Sequence, residues 1–271
     1  MDNARVFELW EKRNAPYLAT FGGKKLLIAF SGGKDSVVCV HLLNRLREKY
    51  GYELEAHLYA FPRHLYTPAY RTAITEFCAS HAIPFHYHEA DPSLPDIEGL
   101  EDPCRICQQA RRKGMMLIFP SLGVPLSKLV LVSGHSLWDL AGYALEHLID
   151  HELADQEGRD AAQASERFLE ISQRFYPFLS MKGGYGVYRP MHFLNQEEIK
   201  SFLADSGVPP ADSPCEFGAR RPKKILAGYF EKFGLEFSYD RVMEFAKRHL
   251  PLIDKADVEN IGRDEFLGKR I

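Results

Sequence analysis

Short apolar runs alternate with longer amphipathic stretches along most of the chain. Leu26-Leu27-Ile28-Ala29-Phe30 reads as a first strand, and Leu54 to Ala60, Pro84 to His88 and Lys128 to Ser133 as the second to fourth. The near-continuous apolar content of the fourth predicts burial on both faces. Between them, Val37 to about Tyr50, Pro68 to Ser80 and Cys107 to Phe119 carry helical patterns, the first ending at Gly51. A short strand, Val187 to Arg189, follows the turn Gly183-Gly184-Tyr185-Gly186, and Glu197 to Ser206 reads as a further helix. This alternation predicts an α/β fold: a doubly wound, Rossmann-like parallel sheet of about five strands with helical terminal extensions. Val6, Phe7, Trp10 and Tyr17 fall at helical spacing in an N-terminal amphipathic helix; residues 140–175 are helical, with an acidic, solvated middle at 151–157. The expected organisation is a helix within 1–21, an α/β domain over 22–208 and a helical C-terminal extension over 209–271.

Composition narrows the class. The 271 residues are 45% hydrophobic, enough for a large core, and the formal charge of −3 does not announce a nucleic-acid binder. No apolar run approaches the roughly 18 residues that span a bilayer, so a soluble, cytoplasmic protein with no membrane partner is expected. Five cysteines, an odd number with no secretion signal, point away from a disulfide framework and towards metal binding or catalysis for those that cluster.

The first strand runs directly into Ser31-Gly32-Gly33-Lys34-Asp35-Ser36 and then a helix. Glycines let the main chain approach a ligand, and the unpaired N–H groups of a helix start favour an anion. Lys34 adds a cation, Asp35 a Mg²⁺ ligand and Ser36 a hydroxyl. The loop is not a Walker A sequence, because Asp35 follows the lysine and the upstream glycine is missing. It resembles the signature of the PP-loop ATP pyrophosphatases. That resemblance implies ATP binding by Ser31, Gly32, Gly33, Lys34, Asp35 and Ser36, with catalytic roles for Lys34 on the phosphates and Asp35 on Mg²⁺. Because ligands bind beyond the carboxyl ends of strands in such sheets, Ser31, Ala60 with its neighbours, His88, Gly134 and His135 are expected on one edge, and Ala60, Gly134 and His135 join the ATP-binding set.

Pro103-Cys104-Arg105-Ile106-Cys107, with Pro214-Cys215 far downstream, is the second carrier of chemistry. Cysteines three apart in a turn opening a helix bring both sulfurs to one side of a metal. Cys39 and Cys78 lie among apolar helical neighbours and read as buried structural thiols. With Arg111-Arg112, Gly134-His135 and Arg189-Pro190-Met191, the three cysteines resemble the tRNA 2-thiocytidine and 2-thiouridine synthetases. The resemblance implies a 4Fe-4S cluster on Cys104, Cys107 and Cys215, adenylation of a base carbonyl oxygen by ATP, and its replacement by sulfur. It further implies a tRNA acceptor, a sulfide donor such as a cysteine desulfurase, and a homodimer.

The chain departs from that pattern at Leu58-Tyr59-Ala60-Phe61, where the family has Asp, at Asp139, the one acidic residue of an Asp pair, and at Gly218 in place of a further cysteine. Residues 150–182 are longer and more acidic, which opens a small-molecule acceptor as the alternative. A nucleotide-binding protein with zinc on the cysteines and His135 or His88 is another. Arg220-Arg221-Pro222-Lys223-Lys224 reads as a solvated charge run or as a source of positive potential at the site. His86 and His88 share one strand face without a further ligand nearby in sequence.

Overall fold

Parallel pairing of the apolar strands builds the centre of the molecule. In the computed structural model, which describes residues 2–97, 99–100, 103–157, 171–205, 215, 217 and 222–262, six strands form one sheet in the order β3-β2-β1-β4-β6-β5. They are β1 (Lys25–Ala29), β2 (Glu53–Ala60), β3 (Phe85–Glu89), β4 (Leu129–Val132), β5 (Phe178–Ser180) and β6 (Gly186–Tyr188). All pairs are parallel except β5 against β6. The short antiparallel edge strand β5 is an addition to the sequence reading.

Helices cover both faces. They are α1 (Asn3–Leu18), α2 (Lys34–Asn44), α3 (Arg47–Tyr50), α4 (Pro68–Ser80), α5 (Pro103–Ile118), α6 (Leu137–Glu157), α7 (Gln196–Asp205), α8 (Pro222–Lys232), α9 (Tyr239–His249) and α10 (Lys255–Glu259). The helix expected to end near Tyr50 is two, α2 and α3, and Gly51 ends the second with φ +67°. The helix expected from Cys107 begins four residues earlier, so Cys104 stands in its first turn and Cys107 at the start of its second. Side chains of 151–157, all of residues 158–170, Pro214, Gly218 and Arg220-Arg221 lie outside the described residues.

Strand alternation sorts the core into two layers. Leu26, Ile28, Leu54, Ala56, Leu58, Val130 and Val132 face one side, against Val37, Val40, Ile74, Phe77 and Phe202. Leu27 and Leu129 face the other, against Met116 and Phe119, Leu140 and Tyr143, and Met243 and Ala246. Trp10 of α1 is buried in the first layer, and its indole N–H donates to Pro190 O at 2.8 Å. Tyr188 O–H donates to Asn14 Oδ1 at 2.7 Å, tying the same helix to β6. Cys39 and Cys78 are fully buried, and burial pushes both thiols up.

A close approach seats α5 on β2. A Cβ at Gly114 would lie 2.4 Å from the Tyr59 ring, so the helix reaches β2 only because no side chain intervenes. Gly114→Ala is expected to destabilise by about 1–3 kcal/mol through overpacking, read as a lower denaturation midpoint with unchanged m.

Candidate nucleotide site and cysteine centre

The sheet order reverses between β1 and β4, and the loops leaving these two strands bound the crevice where such folds take ligands. After β1, Gly32 has φ +74°, and a Cβ there would meet Ile74 Cγ2 at 2.7 Å and Tyr70 Oη at 2.8 Å. Both the turn and its floor therefore require glycine. Ser36 Oγ donates to Gly33 O at 2.8 Å and lies 3.2 Å from Ser31 Oγ, while Tyr70 O–H donates to Ser31 O. These bonds hold the loop open at the start of α2. After β4, Gly134 lies against the same helix start: a Cβ there would be 3.4 Å from Asp35 C and O and from Ser36 N. The expected juxtaposition of Gly134 with the loop is thus present.

Four charged side chains meet here. Lys34 Nζ donates to Asp35 Oδ1 and to Gln196 Oε1, each at 3.0 Å, bridging the loop to α7. Burial raises the Asp35 carboxyl, with Lys34 opposing and the negative charge of Asp139 reinforcing the shift. Asp139 accepts from Ser136 N–H at 2.8 Å through Oδ2 and pairs through Oδ1 with Lys223. Burial would raise its carboxyl, but Lys223 and the Ser136 N–H together hold it well below the usual range. Lys223 therefore points into the crevice, whereas Lys224 is exposed. Of the two described lysines of the basic run, Lys224 is solvated as read and Lys223 supplies potential to the site.

His135 is flanked by Ser133, whose hydroxyl meets Nδ1, and by Tyr143 at 6.3 Å between ring centroids. Burial and the nearby Arg174 push it well below the usual histidine range, so the ring is neutral at pH 7. Arg174 donates to Tyr143 Oη at 2.7 Å. Arg189, at the end of β6, is buried and donates to Tyr176 O at 2.8 Å and Gln173 Oε1 at 3.1 Å; burial and Arg174 lower it to about 9. Gln196 Nε2 and Arg189 Nε are buried with no hydrogen-bond partner among the described residues. Ala60 ends β2 and is buried at 1% exposure.

Cys104 and Cys107 leave the same side of α5, three residues apart. Cys107 Sγ lies 3.9 Å from Phe61 O, directly after β2, and Cys104 Sγ lies 4.0 Å from Phe217 O, two residues past Cys215. The distant cysteine segment is thereby brought to the start of α5, and none of the three is in a disulfide. Arg111, one turn further on, lies over the Tyr66 ring at 5.6 Å. Gln196 and Arg174 were absent from the sequence-derived site, and no local motif marks them; Asp139 stood in the sequence reading only as the one acidic residue of an Asp pair after His135.

A mostly parallel six-stranded sheet flanked by helices, with the Ser-Gly-Gly-Lys-Asp-Ser turn at its switch point, makes the chain a doubly wound α/β fold. The chain is similar along nearly its whole length to the solved U34-tRNA thiolase NcsA of Methanococcus maripaludis, a structure with its 4Fe-4S cluster: TM-score 0.63 and 18% identity, covering 97% of this chain and 88% of that one. The NAD+ synthetase of Burkholderia pseudomallei shares the fold at TM-score 0.51 and 14% identity, over 93% and 91% of the two chains. In sequence, the chain is distantly similar to cytoplasmic tRNA 2-thiolation protein 1 of Saccharomyces cerevisiae, at 24% identity over 187 residues. That match takes 65% of this chain and 51% of the yeast protein, so the chain spans about half the length of the curated relatives it matches. No family model matches the chain. Among the described residues, no helix is long and apolar enough to cross a membrane.

Proposed function

We propose that the protein is an ATP-dependent sulfurtransferase that adenylates a carbonyl oxygen, with a tRNA base as acceptor, and replaces that oxygen by sulfur. The observation that carries the reading is the meeting of two centres along one sheet edge: the Ser31–Ser36 loop after β1, and Cys107 beside Phe61 after β2 with the Cys215 segment against Cys104. The name of the archaeal neighbour and that of the yeast relative support the same chemistry.

In this reading the loop main chain and the Ser31 and Ser36 hydroxyls hold the pyrophosphate end of ATP. Lys34 offsets charge as the acceptor oxygen bonds to the α-phosphorus and the bond to pyrophosphate breaks. The partly buried Asp35 carboxyl, with Lys34 on Oδ1, offers Oδ2 as a Mg²⁺ ligand; Asp139, with both oxygens engaged, instead holds Lys223 towards the crevice. Gln196 Nε2 and Arg189 Nε are donors left for phosphate or ribose oxygens. Neutral His135 binds by hydrogen bonding rather than by charge. Cys104, Cys107 and Cys215 fit three thiolate ligands of a 4Fe-4S cluster, whose remaining iron supplies a site for sulfide when the cluster is bound. The 209–271 extension contributes both Cys215 and Lys223, so it belongs to the catalytic unit. A small-molecule acceptor is the second reading, favoured by the net charge of −3.

Anaerobic purification tests the proposal, with iron and acid-labile sulfide counted per chain and AMP and pyrophosphate followed with unmodified tRNA. About four of each is expected. Cys215→Ala is expected to lose the iron and all sulfur incorporation while still releasing pyrophosphate. Zinc without labile sulfide would overturn the sulfur step, and AMP formation only with small carbonyl compounds would overturn the tRNA acceptor.

A further inference from the structure

The sheet face that meets α5 carries a polar cluster away from the crevice. In parallel register His57 of β2 lies opposite His86 of β3, and Glu55 precedes His57 by two residues, so all three project from one face. Glu55 Oε2 lies 3.2 Å from His57 Nε2 and 3.5 Å from His86 Nε2, and one ligand atom from each residue falls within 4.8 Å of the others. Glu55 Oε1 is turned to Lys25, whose Nζ also lies 3.3 Å from Glu53 Oε2.

We propose that Glu55, His57 and His86 form a binding site for a divalent transition-metal cation of the zinc class. Two imidazole nitrogens and one carboxylate oxygen are the donor set zinc takes when it keeps a fourth position open. The edges of a tetrahedron with zinc–ligand bonds of about 2.0–2.1 Å are close to the oxygen–nitrogen separations here, so the ligands need little movement.

A second contact prepares His57. Its Nδ1 lies 3.0 Å from His88 Nε2, and the two rings are stacked at 7°. With His57 Nε2 as the ligand, Nδ1 carries the proton and donates it to His88, the outer partner that fixes tautomer and ring plane at metal sites. Burial is graded to match: the side chains of His57 and Glu55 are 0% and 12% exposed, while that of His86 is 44% exposed and opens the site to solvent. Lys25 neutralises one carboxylate oxygen and leaves the other facing the imidazoles. A bound ion would pin the edge strand β3 to β2 on the face where Tyr59 meets Gly114 of α5. This site is independent of the sulfur-transfer reading.

Co(II) is the probe, titrated into the full chain with its cysteine centre loaded and followed by equilibrium dialysis and visible absorption. One Co(II) per chain is expected, with the comparatively intense d–d bands of four-coordinate Co(II) and no added thiolate charge-transfer band, together with a raised Tm. His86→Ala removes a half-exposed ring without opening the core, and Glu55→Gln removes the charge while keeping the shape. Each is expected to weaken Co(II) binding at least about tenfold. His249→Ala, an exposed histidine elsewhere, is expected to leave it unchanged. Unchanged affinity in both site variants, an accompanying thiolate band that survives them, or equal loss in His249→Ala would each overturn the proposal.

Discussion

Replacing Lys34 by alanine is expected to lower the rate of AMP formation by about 10²–10³-fold, the usual cost of removing one preorganised group from developing phosphate charge. The ammonium is held in advance by Asp35 Oδ1 and Gln196 Oε1, each at 3.0 Å, so it requires no reorganisation when charge builds. Its side chain is 40% exposed, so the fold and the iron content are expected to survive the change. A shift in pH dependence separates this role from a merely structural one. Burial and Asp139 already raise the Asp35 carboxyl, and Lys34 is the first group opposing them. Without it the carboxyl rises further, and a reaction needing ionised Asp35 loses its acid limb at higher pH than in the native protein. A rate of pyrophosphate release within threefold of native, with an unmoved acid limb, would remove Lys34 from the chemistry.

Lys223→Met is expected to destabilise the protein by about 2–3 kcal/mol, below the usual cost of breaking a fully buried pair because the lysine side chain is 33% exposed. Asp139 is left with its Ser136 N–H bond but no ammonium, in a setting where burial alone would raise its carboxyl. The sign follows from linkage. A carboxyl held low in the fold stabilises above its unfolded value, and that contribution is lost as pH falls through the folded one. In Lys223→Met the folded value rises, so acid unfolding moves to higher pH. Asp139→Asn combined with Lys223→Met is expected to recover part of the loss, with a coupling of about 0.5–3 kcal/mol between the two sites. Additive losses would show that the ion pair contributes nothing to the fold.

Local chemistry made much of this legible from the chain. The apolar runs placed β1, β2 and β4 to within a few residues, because strands in the middle of a parallel sheet need largely apolar sequence, and the short run after Pro84 placed the more polar edge strand β3. The turn after β1 was readable because its glycines answer a backbone demand, one Gly32 meets with φ +74° and no room for a Cβ. The cysteine pair was readable because three-residue spacing on a helix already defines a face. β5 escaped because three residues in an antiparallel edge carry no period of their own.

What the sequence by itself determined are these strands, the glycine loop at the head of α2, and the paired cysteines at the head of α5, all set by backbone geometry within a few residues. Only the tertiary structure decided their company. It brought Gln196 and Lys223 to a loop more than 160 residues earlier, set Phe217 against Cys104, and joined Glu55 and His57 to His86. Those meetings depend on strand register and on which helix crosses which strand end. Both are fixed by burying two apolar faces of one sheet at once, a condition no single stretch of sequence contains.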